Sequence, residues 1–332
     1  MTGGRLAKAI AVGAILLAIA IVCGLLVGTQ PLSLARAIGD ADSQDREILV
    51  GLRLPRVLLG TAAGAGLAMC GVAFQAVLRN PLAEPYVLGV SGGAAFGATV
   101  GIVLGLGGLT FFGASLLPLI ALVSGLGATM LVYTLARSTQ RPSSGSSMLL
   151  AGVVVNAIAS GAITFLKTLV SDRVGQELLF WLVGFLEAPP TTSLIAVSVY
   201  VAIGAIVLLR DAGKLNLLAL GHESAENLGV NVKALELRVF FACSVIVGAV
   251  VSYTGLIGFV GLIVPHALRS VVGPDVRIVL PLSFFIGAAT LVLFDALSHG
   301  AFRFIHRQVP VGALTALLGG PLFLVLLRRR RE

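Results

Sequence analysis

The side chains that could do chemistry are few, and they cluster in four places. Arg53-Leu54-Pro55-Arg56 stands just before a long apolar run. Gln75 to Gly93 reads QAVLRNPLAEPYVLGVSGG. Leu217 to Val230 reads LLALGHESAENLGV. Gly258 to Arg269 reads GFVGLIVPHALR, with PVGALTALLGGPLF at Pro310 to Phe323 near the end. None holds a catalytic constellation. A phosphate loop, G-x-x-x-x-G-K-[ST], is missing, since Gly213-Lys214 is followed by Leu215. H-E-x-x-H and G-x-S-x-G are missing too. His222, His266, His299 and His306 show no metal-ligand spacing. Cys23, Cys70 and Cys243 lie inside apolar runs and read as small buried hydrophobes. Glu177 and Glu187 flank a short apolar run with Trp181, which reads as a partial helix at the outer surface, not as an acid/base pair. The expectation is a protein that is not an enzyme, holds no metal or cofactor, and draws energy from a partner.

Each segment still has a physical reading. Asn80-Pro81-Leu82-Ala83-Glu84-Pro85 carries two prolines at a membrane boundary. Proline removes backbone donors and breaks helices. Irregular backbone at membrane depth is tolerated only inside protein or along a cavity. This stretch is therefore either a lining of a path or a plain interhelical turn. Leu217 to Val230 is short and polar, with Gly221 and Gly229 bounding a short helix. His266, next to Pro265, reads first as a structural residue at a helix break.

The elements that must position these segments are membrane helices. Hydrophobic residues make up 57% of the chain and charged ones only 11%. Soluble domains carry about 25% charged residues. Much of this chain must be solvated by lipid, and about 20 apolar residues make one crossing. The charge-free stretches are Ala9 to Ala35, Val57 to Leu78, Pro85 to Ala136, Pro142 to Leu166, Ala188 to Leu209, Val239 to Leu268, Ile278 to Phe294 and Gln308 to Leu327. Ala9 to Ala35 is longer than a signal-peptide core and reads as a retained first helix. Pro85 to Ala136 must hold two spans, divided at the Gly-rich stretch Gly105 to Gly113. Val239 to Leu268 holds one full helix and one short or broken one. The total is about ten spans in an all-α polytopic membrane protein, a single transmembrane domain over residues 1–332.

With both termini cytoplasmic, 15 Lys and Arg fall inside and 8 outside. That bias obeys the positive-inside rule. By this topology the loop within residues 211–235 is cytoplasmic, and Arg53 and Arg56 are outside, against the trend. The net charge of +8 fits lipid headgroups and topology control, not nucleic acid, because no basic stripe with interleaved aromatics exists. Glycines such as Gly60, Gly64 and Gly71 let helix backbones approach closely in lipid. Arg56-Val57 and Arg238-Val239 each open an apolar helix that leads through glycines to a proline, Pro81 and Pro265. One helix starts outside and the other inside, as in an inverted repeat.

Taken together, the four segments, in this order and spacing, resemble the FecCD family of permeases, from about Leu52 to Leu327. Those are membrane subunits of ABC importers for ferric siderophores, haem and cobalamin. The resemblance implies a homodimer in the bacterial cytoplasmic (inner) membrane. It implies two ATP-binding cassette ATPase subunits and an extracytoplasmic substrate-binding protein as partners. Asn80 and Leu82 would line the cytoplasmic gate. Gly221, Glu223, Ala225, Leu228 and Gly229 would couple to the ATPase, the alternative being a solvated loop. Arg53, Arg56 and Arg303 would dock the binding protein, the alternative being headgroup anchoring. Family members often carry an arginine four residues after the position of Asp295 and a glutamate two before the last proline. Here His299 and Gln308 stand there, which puts docking on that side in question. A ferric siderophore is the favoured cargo on breadth of use. The rival is an ion-gradient-driven transporter, which would keep ionisable residues near the midplane; Asp and Glu here read as lying at span ends.

Overall fold

The structure, a computed structural model, describes residues 3–40, 42–106, 109–111, 114–138 and 145–328. In chain order the helices are α1 (Gly3–Leu26), α2 (Leu34–Gly39), α3 (Gln44–Arg46), α4 (Leu54–Val77), α5 (Val90–Val103), α6 (Leu116–Ser138) and α7 (Gly145–Thr168). Then follow α8 (Asp172–Val183), α9 (Thr191–Leu218), α10 (His222–Asn227), α11 (Val232–Thr254), α12 (Val260–Val272), α13 (Val276–Ile305) and α14 (Val311–Arg328). The only extended pairing among the described residues is two residues long, Thr110 with Ser115 and Phe111 with Ala114, where the Gly-rich stretch divides α5 from α6.

Seven helices are long and apolar enough to cross a membrane: α1, α4, α6, α7, α9, α11 and α13. The shorter apolar helices α5, α12 and α14 bring the number to ten among the described residues. The first apolar run is cut at Leu26, because Gly28-Thr29-Gln30-Pro31 cannot continue a helix, and α2 starts separately. α3 and α4 join through a π-helical stretch, Glu47–Arg53, into one continuous helix with Pro55 in the first turn of α4. Pro55 has no amide to give to the ladder, and it follows the π-helical turn where that ladder is already shifted. Asn231 caps α11 by accepting from Ala234 N at 3.0 Å, and Asp275 caps α13 by accepting from Arg277 N at 3.0 Å. The hydrogen bonds from Arg277 hold the Asp275 carboxyl below the usual carboxylate range.

α4 is the axis of the bundle. Its apolar window is 83% buried, against 17% for the lipid-facing α1. Glycines make that possible. A methyl at Gly64 would collide with the backbone carbonyl of Gly287 on α13, and one at Gly71 with that of Gly261 on α12. Such backbone contact gains dispersion energy that larger residues would block. α4 packs on α12 and α13, while α11 packs on α5 and α6. α5 packs on α6 and α7 as α12 does on α13 and α14. The two groups α4–α7 and α11–α14 thus have matching neighbours. α4 and α11 run in opposite directions, since Arg53 and Gly255 lie at the same end, as an inverted repeat requires.

The residues sort to two ends. At one end lie α10, the end of α9 and the start of α13, joined by Asn216 Oδ1 accepting from Val276 N at 3.1 Å. α1 begins and α14 finishes toward this end. At the other end lie Arg53, Arg56, α8 and the α13–α14 connection.

Candidate translocation and coupling site

α10 stands on a pinned base. Asp211 accepts from Arg238 Nε at 2.8 Å and from Lys214 Nζ at 3.0 Å, tying α9 to α11. His222 Nε2 lies 3.2 Å from Glu236 Oε1, tying α10 to α11. Residues 211–235 are therefore not one loop: α9 runs to Leu218 and α11 starts at Val232, leaving 219–231 around α10. Gly221 (φ 118) and Gly229 (φ 83) make the two bends, in a region open to glycine. Ala225 is buried and its carbonyl accepts from Val230 N at 3.0 Å. Glu223 and Leu228 are exposed beside Leu220. The arrangement offers two leucines and a carboxylate outward from a fixed platform.

Residues 79–89 leave α4 next to this platform. Asn80 Oδ1 accepts from Leu82 N at 2.9 Å, a side chain replacing the backbone turn that Pro81 cannot supply. Leu82 is exposed beside it, so Asn80 and Leu82 share one turn. Beyond them the chain enters the bundle through a 3₁₀ turn, Pro85–Leu88, before α5 starts at Gly89 (φ 87). Here the structure departs from the sequence reading that Asp and Glu lie at span ends. Glu84 reaches the start of α12 and accepts from Phe259 N, while Pro85 lies against Gly261. Tyr86 Oη accepts from Ile257 N at 2.7 Å, and the Tyr86 carbonyl accepts from Asn156 Nδ2 of α7 at 2.7 Å. Gln75 donates to Gly261 O at 3.4 Å and accepts from Arg269. Sequence reasoning missed this junction. Its one visible signal was Asn156, a lone amide in the charge-free run of α7. His266 is buried with its ring edge-on to Phe323, as a structural residue would be.

At the other end the expected docking arginines turn inward. Arg53 donates to the carbonyls of Leu25 (2.8 Å), Leu26 (2.9 Å) and Gln30, and Arg56 to Gly24 O (3.2 Å) and Val27 O (3.3 Å). Both are buried. They serve the last carbonyls of α1, which have no partner in their own helix and carry the negative end of its dipole. Arg56 also pairs with Asp295 of α13 at 3.1 Å. Asp295 Oδ1 lies 3.3 Å from His299 Nδ1, and His299 Nε2 lies 3.4 Å from Gln308. The two positions that depart from the family pattern thus touch each other. Arg53, Arg56, Glu187, His299 and Gln308 line one polar cavity of about 320 Å³. The side chain of Arg303 lies outside the described residues. α8 is the expected partial helix, and Glu177, Trp181 and Glu187 share a second cavity with Tyr253, of about 220 Å³.

The chain is similar to known proteins over nearly its whole length. Residues 16–329 match the FecCD transport family. It is 40% identical to the cobalamin import system permease protein BtuC of Halobacterium salinarum over 291 residues, covering 86% of this chain and 74% of that one. It is 35% identical to the hemin transport system permease protein HmuU of Yersinia pestis over 340 residues, covering 99% and 98%. Among solved structures it superposes on a metal-chelate type ABC transporter in an inward-facing conformation, with a TM-score of 0.85, 30% identity, and 97% and 99% of the two chains covered. A fold of ten apolar helices, a pinned short helix at one end and a family match over residues 16–329 agree, and the chain belongs to the FecCD transport family.

Proposed function

We propose that this chain is the membrane-spanning permease subunit of an ATP-driven importer that moves a metal chelate into the cytoplasm. It works as a homodimer in the inner membrane, with two ATPase subunits on α10 and a binding protein at the opposite end. The observation that carries the reading is α10 itself. Glu223, Leu228 and Leu220 are exposed on a base that the Asp211–Arg238 salt bridge and a cap make rigid, and the irregular stretch 79–89 begins beside it. Gly221, Ala225 and Gly229 shape that knob, Glu223 and Leu228 meet the ATPase, and Asn80 and Leu82 gate the path. The α10 end is cytoplasmic, in keeping with its excess of Lys and Arg. Arg53 and Arg56 build the docking face indirectly, by fixing the end of α1 on α4 and α13, while Arg303 contacts the binding protein directly.

The cargo is a metal chelate. Relatives carry cobalamin and hemin, and a ferric siderophore is the third member of the same class. The test is uptake into vesicles holding this chain with its ATPase and binding protein, offered labelled haem, cobalamin and ferric siderophore in parallel. ATP-dependent uptake of one compound is expected. One observation favours the ion-gradient rival: Glu84 is an ionisable side chain within the bundle. Uptake driven by an imposed proton or sodium gradient without ATP would establish that rival instead.

A further inference from the structure

Residues 79–89 have no regular helix of their own beyond one 3₁₀ turn, yet they meet other elements at both ends, by side-chain contact at the start and by hydrogen bonds further on. At the start, the Arg79 guanidinium lies against Gly221, where a methyl group would sit 3.7 Å from Nη1. Further on, Glu84 and Tyr86 take the amides of Phe259 and Ile257. Those amides precede and open α12, and the first donors of a helix have no partner within it. Phe259 is the N-cap of α12 at φ 69, a conformation that a bulky residue keeps only when neighbours hold it. The holders come from a segment 171 and 175 residues away in sequence. Two further contacts spread sideways. Asn156 of α7 donates to the Tyr86 carbonyl, and the Phe259 side chain rests on Gly319 and Gly320 of α14.

We propose that Glu84 and Tyr86 are positioning residues of the transport cycle. They make 79–89 a strut between α10 and the start of α12, and through its side contacts the strut reaches α7 and α14. A displacement of α10 by its partner is then delivered to those helices. The physical reason is that a stretch without its own hydrogen-bond ladder transmits force only through its points of contact; here the α12 end is held by two hydrogen bonds and the α10 end by Arg79 packed against Gly221. A side-chain oxygen suits its end because the amide at a helix N-terminus has no acceptor within its own helix. Glu84→Gln keeps an acceptor and should keep most of the link. Glu84→Ala and Tyr86→Phe remove one anchor each. The inference rests on the proposed reading as an ATP-driven permease.

The test uses the whole transporter in vesicles, with binding protein loaded with labelled haem, cobalamin or ferric siderophore. The first readout is ATP hydrolysed per molecule imported. E84A and Y86F should raise it by roughly fivefold or more, the low end of typical coupling factors, while hydrolysis persists and E84Q stays near wild type. The second readout needs no cargo: the maleimide reactivity of a thiol placed at Leu317, exposed on α14, with and without ATP. It should respond to ATP in the parent and lose that response with Y86F. Hydrolysis and uptake falling in equal proportion, or an unchanged ratio in all three variants, would overturn the strut. So would a Leu317→Cys parent that never responds to ATP. A wild-type complex that assembles but imports none of the probes strikes the functional reading instead, and the thiol readout then decides the strut alone. Y86F loses a single hydroxyl, so the question stays decidable even where E84A fails to assemble.

Discussion

Arg56 and Asp295 are a buried ion pair, and their energetics are those of a pair that must not be halved. Taking either charge out of water is costly, and the partner offsets that cost only while it is present. Arg56→Ala should therefore destabilise the protein by about 3–5 kcal/mol, because Asp295 is left buried with its charge uncompensated. Replacing both by leucine should recover most of that loss. Thermal unfolding in detergent measures it, and a single variant as stable as wild type would show that water already reaches the pair. The same reasoning explains why the docking expectation for Arg53 and Arg56 changes in kind. Guanidinium groups committed to the carbonyls of Gly24 through Gln30 have few donors left for a protein partner.

At the scale of elements, two kinds of glycine do different work. Gly71 is a contact glycine: α12 passes so close to α4 that no side chain fits at Gly261 O. Gly71→Ala should cost about 1–3 kcal/mol through forced displacement of α12. Gly127, which has open space around it, should accept alanine with no measurable loss. Equal stabilities for the two variants would mean that α12 is free to shift. Gly229 is a bend glycine at φ 83, and its amide donates to Glu226 O at 2.9 Å. Gly229→Pro forbids both the angle and the bond. It should release α10 from its set position and leave ATP hydrolysis running without uptake. Coupled uptake at the wild-type ratio in that variant would remove α10 from the coupling role.

For the whole molecule, the two ends make a prediction about sidedness. Ser224, exposed on α10, and Glu187, exposed at the Arg53 end, lie on opposite sides of the bundle. A membrane-impermeant thiol reagent applied outside whole cells should label Glu187→Cys and spare Ser224→Cys; inverted vesicles should give the reverse. Both labelling from one side would break the topology of ten crossings. The proposed homodimer belongs to this scale as well. α7 carries a largely exposed face, residues 79–89 bond it through Asn156, and Phe259 carries the contact on to α14, so a path between two copies along these helices would feel movement of 79–89.

The sequence by itself determined the class of the protein and a count of about ten helices. It could do so because hydropathy, proline and the placement of Lys and Arg act locally, each within one helix length. Even the reading of Val239 to Leu268 as a full helix plus a short one followed from its glycines, and α11 and α12 are that pair. Only the tertiary structure decided what the buried polar groups bond. The carbonyls that hold Arg53 lie 23 to 28 residues away, and the amides that hold Glu84 and Tyr86 lie 175 and 171 residues away. Nothing in a single chain's local pattern says which distant backbone group will meet a side chain, because that choice is made by packing. Close backbone passage at Gly64 and Gly71 set the positions of α13 and α12, and those positions carried Asp295 to Arg56 and the start of α12 to Glu84.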